Sequence, residues 1–200
     1  MILDEYRIVF LVVGGILMLL VVSPVLSMFL SIPRTEFFSE FWLLGSNQRA
    51  EEYPFNVTVG GEYKVFSGIG NRLGHAAYYK VLVKFRNQTQ SGPDSFNRTA
   101  STLPALYDIR AFVADEDIWE IPLVFSLNYD YDEFTSQIQV FDMTLNDAVL
   151  SIKDVHIGWD PVNSGFYGNL FFELWIYNAT LSDFQYHQRF VGLWLNMTTS

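Results

Sequence analysis

Residues 79–85 read Tyr-Lys-Val-Leu-Val-Lys-Phe. Tyr79, Val81, Val83 and Phe85 fall on one face of an extended chain and Lys80 and Lys84 on the other, the period of two that marks a half-buried β-strand. Residues 62–69 alternate in the same way, and 37–44 are aromatic and apolar. Outward from these, 106–113, 118–127, 137–143, 170–177 and 185–195 carry the same β-rich composition. Gly60-Gly61 and Gly68-Ile-Gly70-Asn71 read as turns, and 88–104 as a polar loop. Pro122 makes 118–127 an edge or bulged strand. Residues 144–156 are ambiguous: Leu145, Val149 and Ile152 fit a short helix as well as a strand. About seven or eight strands with closely spaced turns predict a mainly β fold, an antiparallel immunoglobulin-like β-sandwich; a jelly roll is the alternative.

The first residues are of another kind. Residues 8–32 carry no charged side chain and are bracketed by Arg7 and Arg34. At about 1.5 Å per helical residue such a run exceeds the roughly 30 Å hydrocarbon core of a bilayer. It is also longer than the roughly 7–15 residues of a signal-peptide core, and residues 1–7 are not basic, so a retained transmembrane anchor is expected over a cleaved signal. The domain division expected is therefore 1–33, tail and anchor, and 34–200, exterior β-sandwich. Ser23, Ser27 and Ser31 recur every four residues and share one helix face. Small residues at that spacing let a second helix approach closely, which makes them the expected helix-packing positions. Pro24 removes the bond to the Leu20 carbonyl and is expected to bend the helix.

One basic residue on each side of the run leaves the positive-inside rule nearly silent. The glycosylation acceptors decide orientation instead. Asn-x-Thr occurs at Asn56, Asn87, Asn97, Asn178 and Asn196, always after the anchor and never with Pro between. With 11 Asn and 25 Ser or Thr in 200 residues, chance gives on the order of one. The expectation is an N-glycosylated exterior domain with the tail inside. A formal net charge of −10 argues against a nucleic-acid partner, which needs a basic face. The chain has no cysteine, so the domain must hold by packing alone.

Several blocks resemble a known family. Residues 35–45 run from Thr-Glu-Phe to Leu-Gly, 50–54 read Ala-Glu-Glu-Tyr-Pro, 56–60 Asn-Val-Thr-Val-Gly, and 65–71 Val-Phe-Ser-Gly-Ile-Gly-Asn. These are similar to the start of a domain of unknown function found in archaeal membrane-anchored surface proteins. The stretches Phe-Phe-Glu-Leu-Trp-Ile-Tyr at 171–177 and Arg-Phe-Val-Gly-Leu-Trp-Leu-Asn-Met at 189–197 are similar to that family's closing hairpin. The resemblance implies an immunoglobulin-like exterior domain, an archaeal source and no catalytic residue.

Candidate chemistry is sparse. Asp154 and His156 would share one strand face and could hold a metal. A surface role is the expectation. Asn128, Asp130 and Asp132 place oxygens at alternating positions like a calcium loop, but the sixth place is Glu133, not Gly, and the twelfth is Gln139, not Glu, which excludes an EF-hand. Nine acids and no Lys or Arg lie between Arg110 and Lys153, a solvated acidic face or a dock for a basic neighbour. No nucleophile elbow or dinucleotide loop is present. No metal or cofactor is therefore expected. The reading is a non-enzymatic surface protein, an accessory or structural subunit of a membrane or envelope assembly. Its expected partners are membrane lipid, its own N-linked glycans, and other membrane or envelope proteins met through the anchor and the exterior domain. An independent adhesin or S-layer anchor is the alternative. Glycopeptide mass spectrometry should find sugar on Asn56, Asn87 and Asn97, with Asn196, four residues from the end, the least occupied. Five bare asparagines would reject the glycoprotein expectation.

Overall fold

A computed structural model describes residues 6–29 and 36–198. The chain divides into two units, Met1–Phe37 and Phe38–Ser200. In the first, helix α1 spans Arg7–Phe29. Its described side chains, 7 and 9–21, are exposed on every face. Among the described residues no helix is long and apolar enough to cross a membrane.

The second unit is built of ten strands: β1 Phe38–Leu44, β2 Asn56–Val57, β3 Tyr63–Arg72, β4 Ala77–Arg86, β5 Tyr107–Val113, β6 Ile118–Asp132, β7 Gln137–Leu145, β8 Ala148–Asp160, β9 Gly165–Asn178 and β10 Asp183–Met197. They form one curled sheet in the order β1-β3-β6-β7-β8-β9-β10-β2, with β4 on β9 and β5 on β4. Every pairing is antiparallel except the short β10–β2 contact. Between β8 and β9 the path is held by two pairs, Trp159 with Phe166 and Asp160 with Gly165. Beyond that point the same edge of β9 is taken by β4.

The alternation in 79–85 becomes burial directly. Tyr79, Val81, Val83 and Phe85 join one core with Leu123, Phe125, Leu127, Ile138 and Met143 from β6 and β7, and with Leu170, Phe172 and Leu174 from β9. Each fully buried aliphatic or aromatic side chain contributes about 1.5–3 kcal/mol against its exposed state. β9 is buried on both faces from Gly168 to Leu174, which is why it reads as a nearly continuous apolar run.

Three expectations change. Residues 144–156 are strand. β7 ends at Leu145, Asn146 and Asp147 turn with φ of 44° and 70°, and β8 begins at Ala148. Two left-handed residues between antiparallel strands make the hairpin whose twist matches the sheet. Gly60 does turn, with φ of 68°. Gly68 and Gly70, however, lie inside β3, opposite Trp42 and Glu40 of β1. A Cβ on Gly68 would run into the Trp42 indole, so glycine here makes room for a ring. Pro122 sits on an interior strand, paired with Phe66 of β3. Its carbonyl accepts from the Asn146 amide, and β7 already ends opposite Phe125. The missing N–H therefore faces the side where the ladder has run out.

The register fixes which residues share an end. Phe38 lies opposite Arg72, and Gly70 opposite Ile118 at the start of β6. Asp132 at the other end of β6 lies opposite Gln137, which pairs with Gly158. The turns 133–136 and 161–164, the end of β4 and the end of β10 thus gather opposite the end where β1 begins. Gly68→Ala should displace Trp42 and its indole bond to Glu120, at a cost of about 1–3 kcal/mol. Chemical denaturation checks this: Trp42→Ala in the same chain should restore part of the loss, and full additivity would contradict the packing account.

Candidate functional site

At the end formed by Asp132, Asp160 and Asn196 two shallow clefts meet. One, of about 480 Å³, is walled by Asn87, Thr89, Gln137, His156 and Trp159. The other, of about 470 Å³, is walled by Phe55, Asn163, Tyr167 and Trp194. Gln88 and Asp160 line both, so the two make one groove. Each wall has a local cause. Leu193, Leu195 and Met197 of β10 point into the core, which turns Trp194 and Asn196 outward. Asp160 closes the β8–β9 turn by accepting from the Val162 and Asn163 backbone and from the Asn163 amide. Those donors hold its carboxyl below the usual carboxylate range. Gln88 donates to the Gly158 carbonyl at 3.1 Å, and Asn87 donates to that of His156 at 2.8 Å.

The segment carrying Asn87 and Gln88 is held from beneath by a sealed ion pair. Lys84 Nζ lies 2.9 Å from Glu173 Oε2, with the side chains 4% and 0% exposed. Lys84 also donates to the Ser101 carbonyl, and Glu173 accepts from the Ser101 N–H, both at 2.7 Å. The loop between β4 and β5 therefore lies over the outer face of β4 and β9. The sequence placed Lys84 on the solvent face, but that face is covered.

A second buried polar group lies on the core side. Ser39 Oγ is 2.7 Å from the Tyr79 hydroxyl and 2.9 Å from His187 Nε2, and Tyr79 donates to Asn71 Oδ1. Asn71 in turn donates to the Val113 carbonyl. Burial, with the Arg189 charge second, holds His187 below the ordinary imidazole range, and burial pushes the Tyr79 hydroxyl up. A serine beside a histidine is the pairing of an activated nucleophile. Ser39 is fully buried, so no substrate atom can reach its oxygen, and the group acts as a bonded core network.

The five acceptor asparagines all stand at strand ends or in loops. Asn56 and Asn196 are directly paired across β2 and β10, Asn196 Nδ2 donating to Asn56 Oδ1 at 2.9 Å. The bond uses the nitrogen of Asn196 and the oxygen of Asn56, so only Asn196 spends its glycan-bearing atom on it. Asn87 and Asn178 each accept from the backbone two residues on, and Asn97 closes the exposed loop with Asp94. Asn56, Asn87 and Asn196 gather at the groove; Asn178 stands at the opposite end of β9. The side chains of Ser23 and Ser27, and Ser31 altogether, lie outside the described residues.

Asp154 and His156 are both exposed, with Asp154 at a left-handed φ of 57°, and His156 faces the groove. Asp130 and Asp132 cap the end of the β6–β7 hairpin, Asp132 taking the Phe134 N–H and the Thr135 hydroxyl. Among the described residues no three His, Asp or Glu side chains converge as a metal site. Sequence reasoning missed the groove. Its signal was Trp194, an outward ring in an otherwise alternating strand, two residues before an acceptor asparagine.

Residues 33–146, more than half the chain, match the family described as a domain of unknown function, DUF1616, and the chain belongs to that family. No curated protein matches it. Among solved structures it is similar to part of a β-glucosidase from Listeria innocua in complex with isofagomine, at 10% identity and a TM-score of 0.40. That alignment covers 82% of this chain and 17% of the other. It is similar also to a PapD-like domain of human CEP192, at 8% identity and a TM-score of 0.33, covering 86% and 93%. Likenesses at this level carry no functional argument.

Removing one member of the sealed pair should be costly. Glu173→Gln or Lys84→Met leaves an uncompensated buried group and is expected to lower stability by about 3–5 kcal/mol. Limited proteolysis should then cut within the loop that carries Ser101. A loop as resistant as in the unaltered chain would contradict its fastening by this pair.

Proposed function

We propose that the chain is a single-pass, N-glycosylated surface protein. Residues 1–33 form its inner tail and anchor, and the β unit outside acts by binding rather than by catalysis. The observation that carries this is the uncharged run 8–32, which extends past the residues described for the helix Arg7–Phe29. Phe10, Leu11, Met18 and Leu19 are all largely exposed to their surroundings. In water such a helix would leave that surface unburied; lipid removes the cost. Five acceptor asparagines after the helix, and none before, support the orientation.

The β unit is read as an immunoglobulin-like sandwich, β1-β3-β6-β7-β8 packed on β5-β4-β9-β10-β2. Support comes from the single core that both halves share and from Tyr129 of β6, whose hydroxyl donates to the Val57 carbonyl of β2 at 2.8 Å. The archaeal source and envelope setting rest on the resemblance carried by residues 35–71 and by the closing hairpin, 171–177 and 189–197. The role that fits is an accessory or structural subunit of a membrane or envelope assembly, with the four-residue spacing of Ser23, Ser27 and Ser31 in the sequence as the ground for expecting a packing partner. The exposed aromatic groove favours a second reading, an independent adhesin or S-layer anchor.

Protease added to intact cells should remove epitopes beyond residue 34 and spare the tail. An exterior domain that stays protected while other surface proteins are digested would overturn the topology. Mild-detergent extraction and native sizing then separate the two roles: a subunit migrates with a larger assembly, an adhesin alone.

A further inference from the structure

Four aromatic rings and the acceptor Asn87 line the groove at the Asp160 end, and the paired Asn56 and Asn196 adjoin lining residues in sequence and register. Trp159 and Trp194 are 54% and 42% exposed. Neither ring is loose. Trp159 stands edge-on to Phe166 with centroids 5.1 Å apart, and the Arg86 guanidinium lies over Trp194 at 5.0 Å. Phe55 and Tyr167 support each other at 6.0 Å. Between the rings the polar groups are fixed as well: Gln88 is tied through its nitrogen to Gly158, and Asp160 is oriented by its turn.

Rigid rings beside oriented amides and a carboxylate match one ligand chemistry. A pyranose presents a C–H face that packs on an aromatic ring, whose π face is electron-rich, and hydroxyls around its edge that both donate and accept. Rings held by neighbours lose little conformational freedom when they are covered. The clefts, of about 480 and 470 Å³, lie in the range of small-ligand sites. A lipid tail would cover the rings but strand the polar groups without partners, which is unfavourable. Independently of the lining, Asn87 stands in the wall of one cleft, and Asn56 follows Phe55 in the wall of the other and is bonded to Asn196. Sugar attached at this end would begin beside the rings.

We propose that the groove between Trp159 and Trp194 is a saccharide-binding site for the N-linked glycan of the surrounding envelope. This rests on the exterior reading above. The glycan comes either from the chain's own Asn56, Asn87 or Asn196 or from a neighbouring glycoprotein; the chemistry is the same, and experiment separates the sources.

The full chain, purified in detergent from the cells that make it, is compared with an unglycosylated variant, the same sequence made in cells that lack N-glycosylation. That variant keeps every side chain of the groove and carries no sugar. The probe is oligosaccharide released from membrane glycoproteins of the same cells, and the readout is the indole N–H resonances of Trp159 and Trp194, with Trp42 as control. If the chain's own glycan fills the groove, those two resonances differ between chain and variant, and added oligosaccharide moves them only in the variant. If the glycan is a neighbour's, chain and variant look alike, and added oligosaccharide moves both resonances saturably. In either case Trp159→Ala together with Trp194→Ala should weaken binding by roughly tenfold or more. An unchanged melting temperature keeps that result from being read as unfolding. Resonances that respond to neither attached nor added glycan overturn the proposal, as does affinity that survives the double substitution. Bare asparagines in the glycopeptide spectrum would sink the proposal that this chain is a glycoprotein, and the added oligosaccharide would still decide the groove.

Discussion

The salt bridge between Lys84 and Glu173 is withdrawn from water and fully bonded, and the surface above it depends on that. Burying a charge pair is unfavourable unless geometry and additional hydrogen bonds compensate. Here Ser101 supplies both, its carbonyl to the ammonium and its N–H to the carboxylate. The loop between β4 and β5 is thereby fastened to the sheet at mid-length. Its first residues then follow a fixed course. Arg86 holds the Gln90 carbonyl and Asn169, and Asn87 and Gln88 reach the His156 and Gly158 carbonyls. Those last bonds run from the start of the loop to β8, beside the place where β8 and β9 share only two residue pairs. A loop that reads as spacer thus stitches the sheet at a narrow seam.

The second constraint is the absence of cysteine. Apolar burial favours compactness but is non-directional, so something must fix how β1 and β3 meet β4 and β10. Ser39, Asn71, Tyr79 and His187 come from those four strands and bond in one chain. Satisfied polar networks in a core specify a unique arrangement, because any other leaves groups unpaired. Among the described residues only the Ser67 hydroxyl is buried without a partner.

Much of the β architecture was legible in the sequence because a period of two survives in any strand with one wet face. Residues 137–143 are such a strand, and 79–85 keep the same period although the loop covers their second face. Residues 144–156 were not, since Leu145, Val149 and Ile152 satisfy either period; two residues with left-handed φ, Asn146 and Asp147, decided it. Gly68 and Gly70 misled because a glycine that accommodates Trp42 is written the same way as a glycine that turns. The burial of Lys84 could not be foreseen, because the cover comes from Ser101 and the counter-ion from Glu173, far along the chain. The groove depends on outward rings contributed by different segments, and a single sequence does not show which segments share an end.

The long strands set a distance. β6 has 15 residues and spans, at about 3.3 Å each, roughly 50 Å. Phe38 lies level with one end of it and the Trp159–Trp194 rings with the other. Whatever carries the chain into the domain at residue 38, the groove is held nearly a strand's length away, on a hydrogen-bonded scaffold instead of a flexible tether. Within the β unit the distance from residue 38 to the rings is therefore set by strand length, and a ligand held between the rings cannot approach residue 38 without breaking the ladder.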